Sequence, residues 1–70
     1  MSYKIVYDIH EDTLHITRVN KGNADYEKQG NYGIELECSI YDIPVGIVIY
    51  EASIHTGFTK KELQDFAGDL

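Results

Sequence analysis

Apolar and polar residues alternate along most of the chain up to residue 50, and the phase of that alternation predicts a series of short strands. Tyr3, Ile5 and Tyr7 share one side of the first, and Leu14 and Ile16 share one side of the second. Both are rich in β-branched and aromatic residues and too short for helices, with polar His10-Glu11-Asp12 between them, so they read as a hairpin. Residues 20 to 31 are polar, with turn signals at Lys21-Gly22-Asn23 and Gly30-Asn31; Ala24-Asp25-Tyr26-Glu27 is a candidate for a short extra strand or a ribbon extension. The clearest alternation follows: Ile34, Leu36, Cys38 and Ile40 on a buried side, Glu35, Glu37 and Ser39 on a wet one. Pro44 opens a last strand through Val45-Gly46-Ile47-Val48-Ile49-Tyr50, where Gly46 fits either a bulge or close backbone approach.

The end of the chain changes period. Thr59-Lys60-Lys61-Glu62 matches a capping box, and Phe58 and Leu63 are spaced for a hydrophobic staple. Leu63, Phe66 and Ala67 fall on one helical face, and Gly68 suits a stop, so a helix is predicted over about 60–67. Two turns of helix are not stable alone and must dock on the sheet. The expected architecture is α+β: one domain over residues 1–70, a four-stranded antiparallel meander over about 3–51, and one short C-terminal helix on a face.

In such a meander the last strand is an edge, yet it is apolar on both sides. Such a strand is normally covered on both faces, and an apolar edge invites another chain. Either the first strand lies beside it or a second copy does. Size favours the second copy. Burial of roughly 4,200 Å² of apolar surface supplies about 105 kcal/mol, and ordering 70 residues costs about the same. A single cysteine excludes an internal disulfide, which leaves oligomerisation as the staple. The expectation is a homodimer with Val45, Ile47, Val48 and Tyr50 at its interface, Tyr50 as the aromatic anchor.

Composition narrows the partners. Twelve acidic against six basic residues give a net charge of −6, with the cations scattered, which disfavours nucleic acid and suits a basic protein partner. No apolar stretch approaches the length of a membrane helix and no export signal is evident, so a cytoplasmic protein without membrane association is expected. Cys38 reads as a small buried hydrophobe.

The stretch Tyr7-Asp8-Ile9-His10-Glu11-Asp12-Thr13-Leu14-His15-Ile16 resembles the opening of a family of short prokaryotic proteins of unknown function. Gly33-Ile34-Glu35-Leu36 and Val45-Gly46-Ile47-Val48-Ile49-Tyr50-Glu51-Ala52-Ser53 resemble its second half, in the same order. The resemblance implies a small antiparallel sheet followed by a short helix. Members often sit beside small toxin-like genes, which implies an antitoxin-like partner role. The family's Asp-Tyr-Asp before the last turn is replaced here by Glu37-Cys38-Ser39, and its Glu after Val-Gly-Ile by Val48.

Candidate chemistry gathers in one place. Asp8, His10, Asp12 and His15 lie within eight residues, and a turn could converge them into a metal site or an acid–base pair. The simpler reading is a polar turn whose aspartates accept backbone N–H bonds, with His15 facing outward. His55 could serve as a base for Ser53 or Thr56, although no third orienting group is identifiable and a surface connector is the simpler reading. The leading expectation is a non-catalytic protein-interaction module with no cofactor and no metal. The alternatives are a small metal-dependent or acid–base enzyme using Asp8, His10 and Asp12, or a small-molecule binder at the dimer interface.

Overall fold

A computed structural model describes residues 2–19 and 22–68. The elements in chain order are β1 (Tyr3–Asp8), β2 (Thr13–Arg18), β3 (Tyr26–Gln29), β4 (Ile34–Cys38), β5 (Pro44–Ile49), α1 (Ala52–Thr56) and α2 (Lys60–Gly68). All pairings are antiparallel, and the spatial order is β1-β2-β5-β4-β3. The architecture is α+β, as expected, but with five strands and two helices rather than four and one. The meander is also corrected: β3, β4 and β5 form one, and β5 then slots against β2 of the first hairpin. Its apolar flanks are therefore explained by a central position within its own chain, and the edges fall to β1 and β3.

Physical causes account for both corrections. The candidate strand around Ala24-Asp25-Tyr26-Glu27 forms as Tyr26–Gln29, all exposed, because every residue finds a partner on β4. Asp25 fixes its entry: its amide donates to the Cys38 carbonyl at 2.8 Å, and its carboxylate accepts from the Ile40 amide at 2.7 Å. Asn20 and Lys21, within the turn expected there, lie outside the described residues. The extra helix, α1, has no period of its own to announce it; its start is made by a distant side chain, described below. The predicted strand through Ile40 stops at Cys38, since Ser39 turns the chain by accepting from the Tyr41 and Ile43 amides, which leaves Ile40 exposed.

Residues paired across strands share a face. Tyr7, Leu14, Ile49 and Ile34 align on one, as do Ile5, Ile16, Ile47 and Leu36. Both helices follow β5, and the core cluster of Leu14, Ala52 and Leu63, with Ile5, Tyr7, Ile16 and Ile49 against it, marks the part of this face they cover. The opposite face carries Val6, His15, Val48 and Glu35 in one row, and Lys4, Thr17, Gly46 and Glu37 in another. Val45 is the bulged residue: Glu37 pairs with Gly46 and Cys38 with Pro44, leaving it opposite no single partner. Gly46 is required beside it, because a Cβ there would lie 3.1 Å from the Ile16 carbonyl oxygen and 2.7 Å from Glu37 Oε1.

The capping box forms as predicted, with Glu62 N–H donating to Thr59 Oγ1 at 3.1 Å and Thr59 N–H to Glu62 Oε1 at 2.9 Å. Leu63 is buried, whereas Phe58 stays exposed, so the staple only half closes. Among the described residues no helix is long and apolar enough to cross a membrane.

Candidate functional site

The polar hairpin between β1 and β2 is the place where the sequence concentrates titratable groups, and the structure gives each a separate occupation. Asp8 ends β1 and accepts from the His10 amide at 2.9 Å and the Glu11 amide at 3.1 Å, closing the turn upon itself. His10 points into solvent at the tip. Asp12 adopts a left-handed backbone (φ 51), which aspartate tolerates better than most residues, and this reverses the chain into β2.

That reversal aims the Asp12 side chain inward, where it is buried. Its carboxylate accepts from the Tyr7 hydroxyl at 2.6 Å, the Ser53 hydroxyl at 2.6 Å and the Ser53 amide at 3.0 Å. Its carbonyl accepts from the Ala52 amide at 2.8 Å. Ala52 and Ser53 open α1, whose preceding residue Glu51 gives no side-chain cap. Asp12 thus supplies the missing cap from 41 residues away. Burial alone would push its carboxyl up; the bonds from Ser53 and Tyr7, with the Lys60 charge, outweigh that and hold it below the ordinary value. The reciprocal effect acts on Tyr7. Burial, the bond to Asp12, and the charges of Asp12 and Asp8 together push its phenol up to about 12.

His15 goes elsewhere. It lies on the opposite face, with Nε2 3.7 Å from Glu37 Oε2. Among the described residues no group of three or more His, Cys, Asp or Glu side chains is placed to hold a metal ion. Asp8, His10 and Asp12 are sequence neighbours that the turn sends in different directions.

His55 has a structural occupation as well. Its Nδ1 lies 2.8 Å from the Tyr50 carbonyl, and the Tyr50 amide donates to the Gly33 carbonyl at 2.9 Å. The Ser53 hydroxyl is held by Asp12 and that of Thr56 by the Ala52 carbonyl, so neither meets the imidazole as a nucleophile meets a base. Gly33, with φ 73, permits the arrangement, since a Cβ there would lie 2.6 Å from His55 Cε1. Sequence reasoning gave Gly33 no structural part; a glycine just before a strand signals a turn but not what crosses it.

The four residues expected at an interface divide by face and burial. Val45 and Val48 are enclosed by their own chain, at 1% and 3% exposure. Gly22, Asn23 and Ala24 line the same concavity as Val45, and His15 and Glu35 flank Val48 on the adjoining strands. Ile47 and Tyr50 keep open surface at 36% and 44%. The Tyr50 phenol is pushed up, first by its bond to Glu35 and then by burial and neighbouring acids. Glu35, expected on the wet side, is instead buried, and it also accepts from Gln29 Nε2 at 3.0 Å.

The helix-bearing face carries a second, open concavity, which meets the helix-covered core at Ile16. Tyr3, Ile16, Leu36, Pro44 and Ile47 form an apolar floor there, with the Arg18 guanidinium donating to the Pro44 carbonyl at 3.2 Å. Among the described residues no carboxylate lines it. No family model matches the chain, and neither a curated protein nor a solved structure matches it.

Proposed function

We propose that this protein is a non-catalytic protein-interaction module that acts as a homodimer, joined through the open concavity of the helix-bearing sheet face. The observation that supports this is the distribution of charge against apolar surface. A chain of net charge −6 repels its own copy over most of its surface, and among the described residues the floor of Tyr3, Ile16, Leu36, Pro44 and Ile47 carries no carboxylate. Two copies packed there would bury apolar area that each chain alone leaves in water. Ile47 therefore replaces Val45 and Val48 as the interface residue, and Tyr50, on the other side of the sheet end, is left to a different contact.

The remaining acidic surface suits a basic protein partner, and with the resemblance to prokaryotic proteins encoded beside toxin-like genes it supports an antitoxin-like role. A cytoplasmic setting accords with a chain whose single cysteine, Cys38, is free and buried.

Sedimentation equilibrium tests the dimer. At roughly 100 µM the parent is expected at about twice its 8.0 kDa, and Ile47→Asp, which places a charge on the floor without disturbing a buried residue, at its monomer mass. A parent that stays at 8.0 kDa overturns the proposal.

A further inference from the structure

The chain contains two phenylalanines, and both are half exposed, Phe58 at 56% and Phe66 at 48%. Phenylalanine is among the residues most often fully buried, so one exposed ring is unremarkable but both together need a reason. They line the same cleft. Phe58 precedes α2, Phe66 lies within it, and buried Leu14 of β2 and Leu63 of α2 line the space with them. The cleft encloses about 500 Å³, within the range of sites that take a small molecule or a few side chains. Among the described residues its charged lining is two carboxylates, Glu62 and Asp65, about one helical turn apart.

The stabilising elements of the fold do not require this opening. The capping box is complete through Thr59 and Glu62, and Leu63 is already buried with Leu14 and Ala52 in the core. The Glu62 cap bond occupies one of several lone-pair sites on its carboxylate. Asp65 meets Lys61 at 3.1 Å in an exposed pair that solvent screens, so its charge stays available to a partner. An aromatic-walled, apolar-floored cleft with an acidic rim has the make-up of an interaction hot spot for the opposite chemistry.

We infer that the Phe58–Phe66 cleft is the docking site for the basic partner: it takes an apolar anchor side chain between the two rings while a flanking lysine or arginine meets Glu62 and Asp65. This rests on the interaction-module reading, and it names the surface and the chemistry of the heterotypic contact. The cleft and the floor assigned to the second copy have no lining residue in common.

The test is a methyl NMR titration of the full chain with acetyl-Lys-Phe-Leu-Lys-amide and with its twin carrying Glu in place of Lys. The basic peptide is expected to shift the Leu14 and Leu63 methyls and to bind at least fivefold more tightly than the acidic twin. Phe66→Ala is expected to weaken it about tenfold, Phe58→Ala to act in the same direction, and Asp65→Asn to narrow the preference between peptides. Both rings are half exposed, so the alanine variants should keep the fold, which the unperturbed amide spectrum would verify. Absence of methyl shifts, equal binding of the acidic twin, or indifference to both alanine substitutions would each overturn the proposal. A monomeric parent that still binds the basic peptide through these residues would refute the dimer alone.

Discussion

Replacing Asp12 should unfasten α1 from the hairpin, and the structure sets the size of the effect. The carboxylate holds three donors: the Tyr7 and Ser53 hydroxyls and the Ser53 amide. Hydrogen bonds to charged groups contribute about 1.5–3 kcal/mol each when removed singly, but bonds sharing one acceptor do not add. Alanine also places an ordinary side chain at φ 51, costing about 1 kcal/mol more. Asp12→Ala should therefore lose about 3–5 kcal/mol. Asparagine keeps the shape, tolerates the backbone and offers one acceptor; the hydroxyls can rotate to receive its amide, so Asp12→Asn should lose only about 1–2 kcal/mol. A domain of 70 residues has about 3.5–10 kcal/mol in total, so the alanine variant sits near the edge of folding. Urea unfolding followed by far-UV circular dichroism measures both losses, with a slope near 1 kcal/mol/M turning the alanine effect into a midpoint shift of about 3–5 M or outright unfolding. Two outcomes would refute the tertiary cap: Asp12→Ala within about 0.5 kcal/mol of the parent, or additive losses in the Asp12→Ala/Ser53→Ala cycle.

Three further expectations follow from the same geometry. Because its folded carboxyl titrates below the ordinary 3.8, Asp12 contributes stability that is complete above that value and is lost as pH falls beneath it; the acid limb of the stability curve should flatten in Asp12→Asn. Tyr7 runs the other way: raised from 10.0 to about 12, it contributes below pH 10 and loses that contribution as pH rises toward 12, so ultraviolet titration should find Tyr7 late, and Asp12→Asn should move it only part of the way back, because burial is the largest cause of its shift. Gly33→Ala should cost about 2–4 kcal/mol, since its Cβ would lie 2.6 Å from His55 Cε1 and 2.9 Å from the Tyr50 carbonyl at φ 73. Adding His55→Ala should recover only part of that loss, because the backbone strain and the carbonyl contact persist; full recovery would show that the imidazole alone sets the limit.

Local periodicity and capping chemistry determine much of this protein without any tertiary contact. Four of the strands, the last helix and its Thr59–Glu62 box are each specified within a few residues, because alternation and capping are short-range properties. The place of β5 was not legible that way: an apolar strand looks the same whether a second copy or its own β2 covers it, and only the closure of the sheet decided between them. The role of the acidic hairpin was hidden for the same reason. Asp8, His10 and Asp12 are neighbours in sequence, yet Asp12 caps the amides of residues 52 and 53, and a cap supplied across such a separation leaves no local pattern to read. Likewise Gly33 needs its missing side chain only because His55 and Tyr50 arrive beside it in the folded chain.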